Sequence, residues 1–378
     1  MNGRLALRLV ALLTVIALLA GCGGGDDGDS ADAAGDTTAS APTAPETSGE
    51  TAGETDAEKQ ACLVVGGDGV TDRGFNQSAW EGAQAGAEAV GWSAKYVFAS
   101  QGSDAVPAIA AFTEEPCEII IPVSFLYTDQ TMQAAEQYPD ENFAIVDVSY
   151  EPPLDNVRGL VFDSAQSSFL AGYLAAGMTE TGIVGTYGGI KIPPVTLFMD
   201  GYAKGIEHYN ETHDTDVQLL GWDVEKQDGT FVGNFTDTAK GKQITQAMMQ
   251  QRADVIFGLG GLPDFGAAQA IESAGGGKVS MIWPNTDGCE AVPKHCDIFL
   301  TSVLKGVQVV VEQAVKDAAN GELTGGTYLG TLENDGVGIA PYHEFEDDVP
   351  DELKQEVEEI RAQIASGELE VTSASKPQ

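Results

Sequence analysis

From residue 61 onward, short apolar runs alternate with amphipathic stretches regularly enough to be read as elements. "CLVVGG" precedes a helical pattern over 75–90, "KYVFAS" one over 103–114, and "EIIIPVS" one over 128–138. "FAIVDV" and "VRGLVF" then precede one over 164–180. A second series starts at "GIVGTYGG" with a helical stretch at about 195–210. It continues with "VQLLGW" and 237–251, "DVIFGLGG" and 263–274, and "VSMIWP". Strands that are unbroken apolar runs between helices belong in parallel sheets covered on both faces. The pattern predicts two doubly wound α/β lobes, switching near Phe162–Ser164, with "IFLTSVLK", 303–320 and "GVGIAPY" crossing back between them.

In such sheets a ligand lies beyond the carboxyl ends of the strands. The residues at those ends are Asp68 and Asp72, Asp147, Gly260 and Gly261, and Asp287. A single acid there usually caps a helix or solvates a loop, and a single glycine usually makes a turn. Several converging on one cleft indicate a binding site.

The two ends of the chain change the picture. Arg4 and Arg8 precede "LVALLTVIALLA", too short for a mature spanning helix, so residues 1–21 are expected to be a secretory signal. "LAGC" at 19–22 looks like the bacterial lipobox, which makes Cys22 the lipidated N-terminus. Acyl chains at about 0.8 kcal/mol per buried methylene would hold it to a membrane face. Residues 22–60 are acidic and nearly free of large apolar groups, so they cannot offset the entropy of ordering and are expected to be a tether. As a flexible coil it reaches roughly 35 Å.

The remaining chain has length for about two domains. With 19 basic against 58 acidic residues and a net charge of −39, it repels phosphate backbones, which excludes nucleic acid as a partner. Cys62, Cys117, Cys289 and Cys296 are an even set in an exported chain, which favours disulfides. Cys289 and Cys296 bracket a short loop, while Cys62 and Cys117 each begin an apolar run and meet if those strands are neighbours. His208, His213, His295 and His343 are not spaced for a metal site, and none is expected. "AKGKQ" at 239–243 and "GLGGLPDFG" lack the glycines of phosphate-binding and dinucleotide loops, so no cofactor is expected either. The sequons at Asn76, Asn210 and Asn234 carry no weight in a bacterial chain.

The stretch "FNQSAWEG" admits two readings. In one, Asn76 caps a helix, Ser78 and Glu81 have capping-box spacing, and Phe75 and Trp80 form a hydrophobic staple. In the other, Phe75 and Asn76 face a ligand. "DRGFNQSAWEG" at 72–82 is joined in order by "YPDENFAIVD" at 138–147, "GNFTDTAKGK" at 233–242, "RADVIFGLGG" at 252–261, "LTSVLK" at 300–305, and "NDGVGIAPY" with "ASGELEV". From about Cys62 to Val371 this series resembles the basic membrane lipoprotein family, the PnrA-like substrate-binding lipoproteins of ABC transporters.

The resemblance implies a type I periplasmic-binding fold whose two lobes, 61–162 plus about 303–322 and 163–302 plus about 323–378, meet at a multi-stranded hinge. It implies a purine nucleoside between them, stacked by Phe75 and Phe235, with Asn76 and Asp147 on the base edge and Asp287 and Lys305 on the sugar. Gly261 would let backbone approach, and Asp68 and Asp72 are additional candidates. The chain departs from the family at Gly66, where an aspartate is common, and the "SFLY" loop at 124–127 and Arg73 also bear on the pocket. The implied role is a monomeric, non-enzymatic binding lipoprotein that delivers its ligand to a permease with a separate ATPase. A membrane-tethered sensor and a nucleoside-cleaving enzyme are the alternatives. The latter lacks a clustered acid set or a usable histidine.

Overall fold

The computed structural model describes residues 58–67, 69–275 and 278–377. The signal, Cys22, almost all of the tether and Asp68 lie outside the described residues. In the first half, β1 (Gln60–Val65) leads to α1 (Phe75–Val90), β2 (Ser93–Phe98) to α2 (Gly102–Phe112), and β3 (Cys117–Val123) to α3 (Thr128–Gln137). They are followed by β4 (Phe143–Val146) and β5 (Val157–Phe162). The second half begins with α4 (Ser164–Met178), β6 (Ile183–Gly188), α5 (Pro193–His213) and β7 (Gln218–Leu220), then a small hairpin, β8 (Trp222–Asp223) and β9 (Asp228–Gly229). It continues through α6 (Thr238–Gln250), β10 (Val255–Leu259), α7 (Leu262–Ser273), β11 (Ser280–Asn285), the short α8 (Gly288–Ala291) and β12 (Phe299–Lys305). The last elements are α9 (Val307–Asn320), β13 (Gly326–Gly330), β14 (Val337–Ile339) and α10 (Asp351–Ala365).

The strands form two six-stranded sheets, ordered β13-β5-β4-β3-β1-β2 and β14-β12-β11-β10-β6-β7. All pairs in them are parallel except β12 with β14. The central strands are buried along their length, as unbroken apolar runs require, and β1 is fully enclosed from Ala61 to Val65. In both sheets the strand order reverses beside the first strand, between β1 and β3 and between β6 and β10. These are the switch points at which loops part and leave a crevice. Helices α4 and α5 meet closely because Gly172, Gly201 and Gly205 face backbone carbonyls of the opposing helix. A Cβ at Gly205 would lie 2.0 Å from the Phe169 carbonyl oxygen.

The chain passes between the sheets three times: after β5, after β12 and after β13. The crossings are bonded to one another, Asp163 N–H donating to the Gly330 carbonyl at 2.8 Å and Gly306 N–H to that of Gly336 at 2.9 Å. Two readings need correction. Gly326–Gly330, assigned from sequence to the second lobe, pairs with β5 in the first sheet. Asn76 does not cap α1. It is the second residue of that helix, and Asp72 takes the capping role.

Both cysteine pairs are bridged. Cys62 to Cys117 joins the neighbouring strands β1 and β3, and Cys289 to Cys296 closes the loop after β11. Among the described residues no helix is long and apolar enough to cross a membrane.

Candidate functional site

The carboxyl ends of β1, β3 and β4 and those of β10, β11 and β12 open onto one cavity of about 910 Å³, its mouth included. Each wall is built by local rules. The loop from β1 turns into α1 through Asp72, whose buried carboxylate accepts N–H bonds from Gly74 (3.1 Å), Asn76 (2.8 Å) and Gln77 (2.9 Å). These amides are the unpaired donors of a helix N-terminus, where an acid is also favoured by the dipole. Burial nonetheless raises the Asp72 carboxyl above its ordinary value, with the three amides opposing. With the helix start fixed in this way, Phe75 lines the cavity and Asn76 donates from Nδ2 to the Gly66 carbonyl at 3.0 Å. The remaining motif residues go elsewhere. Ser78 bonds the Gly74 carbonyl, Glu81 accepts from Gln77, and Trp80 packs edge-on to Tyr96 at 5.0 Å. The staple and capping box are not formed.

The ends of β1 and β3 explain Gly66. Tyr127 is buried and donates to the Ala99 carbonyl at 2.7 Å, and a Cβ at residue 66 would lie 2.5 Å from its hydroxyl. The loop from Ser124 to Tyr127 therefore occupies the space a side chain at 66 would need, and it lines the cavity.

At the base, Asp147 follows β4 with a left-handed backbone (φ 70°), and its carboxylate meets the Lys305 ammonium at the end of β12, 2.5 Å from Oδ1 and 2.7 Å from Oδ2. The lysine side chain is 3% exposed and that of the aspartate 10%. The ammonium also lies 4.8 Å from the ring centroid of Phe75, 5.2 Å from Phe162 and 5.9 Å from Phe198. Burial lowers the Lys305 pKa, and Asp147 opposes the shift.

Phe235 enters from the second half on a turn held by Asn234, whose Oδ1 accepts N–H bonds from Thr236 (2.9 Å) and Asp237 (2.7 Å). Its ring lies on Gly189, where a Cβ would come within 2.3 Å of it. Gly261 (φ 76°) borders it at the mouth of the β10 loop. That loop is tied down by Asp264, which accepts from Gly260 N–H (2.9 Å), Gly261 N–H (3.1 Å) and the Tyr187 hydroxyl (2.7 Å). Burial pushes the Asp264 carboxyl up to about 7 against those bonds.

Six of the expected residues, Phe75, Asn76, Asp147, Phe235, Gly261 and Lys305, thus share one cavity, and Asp72 joins them. Asp287 does not. It caps α8, accepting from Cys289 N–H at 2.9 Å, and pairs with His343 at 2.7 Å in a neighbouring groove. In its place stands Asn285, the last residue of β11, also left-handed (φ 70°). Arg73 lies in that groove too, and its carbonyl accepts from the Thr286 hydroxyl at 3.1 Å. Phe198, Ile192 and Ser100 complete the wall without having been singled out from sequence. Asp287, Cys289 and His343 are close enough to suggest a metal, but Cys289 is spent in its disulfide and offers no thiolate.

A family model described as "ABC transporter substrate-binding protein PnrA-like" matches residues 59–375. The chain is 29% identical over 336 residues to the "ABC transporter nucleoside-binding protein BmpA" of Lactococcus lactis subsp. cremoris, covering 83% of this chain and 89% of that protein. It is 30% identical over 281 residues to an uncharacterized lipoprotein of Pyrococcus furiosus, covering 72% and 67%. Among solved structures, an ABC transporter solute-binding protein from Aeropyrum pernix superposes with a TM-score of 0.74 at 25% identity, covering 82% of this chain and 92% of that one. The lac repressor, at 0.54 and 13%, shares the fold alone, the type I periplasmic-binding arrangement of two doubly wound halves.

Proposed function

The chain belongs to the PnrA-like family of ABC transporter substrate-binding proteins, which bind rather than transform their ligands, and from that premise we propose that it captures a nucleoside, with purines foremost, between two hinged lobes. The supporting observation is the cavity itself. It sets Phe75 and Phe235 on opposite halves with Asn76, Asn285 and the Asp147 carboxylate in reach, a set suited to stacking a flat heterocycle and bonding its edges. No uncompensated cation lines it among the described residues, so it fits a nucleoside better than a nucleotide. The name of the Lactococcus relative points the same way.

In this reading the three bonded crossings are the hinge, closure brings the two sheets' carboxyl edges together, and the filled protein is presented as a monomer to a permease driven by a separate ATPase. Asn76, Asp147, Asn285 and Gly261 hold the ligand, while Asp287 acts at one remove through α8. Cys22 anchors the chain outside the cell membrane, in keeping with the lipoprotein relative, and the acidic segment between Cys22 and β1 is its tether.

Mass spectrometry of whatever copurifies, followed by calorimetry with a panel of purine and pyrimidine nucleosides and free bases, tests the reading. Saturable heat with at least one nucleoside is expected. A panel in which none binds would overturn it.

A further inference from the structure

Among the described residues three charged side chains line the cavity: Asp72, Asp147 and Lys305. Each is already engaged within the protein. Asp72 is held by three amides at the start of α1. Asp147 and Lys305 engage each other through both carboxylate oxygens, and on its other sides the ammonium meets the rings of Phe75, Phe162 and Phe198. We propose that the Asp147–Lys305 pair is a specificity-determining element that confines the cleft to uncharged ligands. The inference rests on the nucleoside reading above and adds what that reading leaves open, namely how charge is discriminated.

An anion entering this cavity needs a cation. Among the described residues Lys305 is the cation that lines it, and recruiting it strips it from Asp147, which leaves a buried carboxylate beside the incoming negative charge. A cationic ligand meets the mirror problem, since freeing Asp147 strands the ammonium. Removing one partner of a buried pair is far more costly than removing both, because an uncompensated charge remains. An uncharged ring meets neither penalty. It can still use the outer lone pairs of Asp147, since an ionised carboxylate accepts more bonds than one lysine supplies.

Inosine and xanthosine are suitable probes. They differ by one oxo group, and xanthosine is an anion at neutral pH and uncharged in mild acid. The test is calorimetry on the full-length protein. The wild type is expected to prefer inosine at about pH 8 and to lose most of that preference at about pH 5, where ligand charge is removed but size is not. Asp147→Asn, which frees the ammonium, should narrow the inosine preference at about pH 8 by about tenfold or more, the equivalent of one modest charge interaction. Lys305→Met, which frees the carboxylate, should widen it. General damage to the site shifts both ligands together, so opposite movements of the ratio identify a charge role.

Should Asp147→Asn fail to fold, Lys305→Met carries the test alone, because it leaves the carboxylate unpaired and its inosine preference at about pH 8 must exceed that of the wild type and shrink at about pH 5. Ratios that stay put, or move the same way in both single variants, overturn the inference while inosine binding by the wild type leaves the nucleoside reading standing. A wild type that binds neither compound sinks that reading first.

Discussion

Asp72 Oδ2 accepts the backbone N–H of Asn76 at 2.8 Å, so a residue four positions upstream fixes the start of α1 and with it both Phe75 and Asn76. Loss of such a cap costs about 0.5–2 kcal/mol. Asp72→Ala is expected to lower stability by about that amount in urea denaturation and also to weaken nucleoside binding, whereas Asp72→Asn retains most of both. An Asp72→Ala protein with unaltered denaturation midpoint and affinity would contradict the capping role.

Phe75 and Phe235 are expected to differ as ring contacts. Stacking of a base on an aromatic ring is worth about 1–3 kcal/mol, so each alanine variant should weaken nucleoside binding by roughly tenfold to a hundredfold. Phe75 also covers the Lys305 ammonium, at 4.8 Å from its centroid, so Phe75→Ala should in addition lower Tm. Phe235 rests on Gly189 at the cavity edge, and Phe235→Ala should leave Tm nearly unchanged. Calorimetry and thermal melts on both variants separate the two effects.

The alternation of apolar runs made the architecture legible, and α1 over 75–90 was read to the residue because glycine and the left-handed Gly91 punctuate it. Elements that lack such a run were missed. The strand β13, "GTYLG", is an edge with alternating exposure, and α10 hides a clear stripe of Leu353, Val357, Ile360 and Ile364 within an acidic segment that resembles a solvated tail. At the site, strand ends located most residues, but the apolar run "VSMIWP" stops at Pro284, one residue short of Asn285, which ends β11 and lines the cavity, and Asp287 is the residue it points to. An acid advertises itself, whereas an amide does not. The Asp147–Lys305 pair spans 158 positions, and no local pattern announces a contact between strand ends that belong to two different sheets.

Gly66 and Tyr127 should be energetically coupled. Gly66→Ala sets a methyl group 2.5 Å from the Tyr127 hydroxyl, which overpacks a buried site at a cost of about 1–3 kcal/mol. Tyr127→Phe removes that oxygen but leaves the Ala99 carbonyl without its donor. The double variant is expected to be more stable than the sum of the two singles predicts, by about 0.5–3 kcal/mol. Additive costs would show that the clash is relieved some other way.

The two disulfides close loops of very different size, 55 and 7 residues apart in sequence. On the chain-entropy account, loss of the longer cross-link costs about 4 kcal/mol and loss of the shorter about 2 kcal/mol. Cys62→Ala/Cys117→Ala should therefore lower the denaturation midpoint more than Cys289→Ala/Cys296→Ala. The second pair of changes should disturb ligand binding more, because its loop begins at Cys289, whose N–H is held by Asp287, and follows Asn285 at the cavity wall. Equal midpoints would argue that the native contacts, and not the closed loop, set the cost.

Asp264 decides how firmly the Gly260–Gly261 loop is held, and two effects on it oppose each other. Burial disfavours the carboxylate, while the Tyr187 hydroxyl and the amides of Gly260 and Gly261 favour it. Burial prevails, raising the pKa from 3.8 to about 7. With the folded value above the unfolded one, the native state holds a proton that the unfolded chain has released between about pH 4 and about pH 7. The contribution of this group is therefore fully present below about pH 4, falls as pH rises through that window by at most about 1.4 kcal/mol per unit, and is gone above about pH 7. Asp264→Asn cannot titrate, and comparing the two proteins cancels the titration of the other acids. The stability of the wild type relative to Asp264→Asn should decline from about pH 5 to about pH 7 in urea denaturation and then level off. A difference that stays flat across that range would mean that the three donors keep Asp264 ionised, and that the β10 loop is as tightly tethered in mild acid as at neutrality.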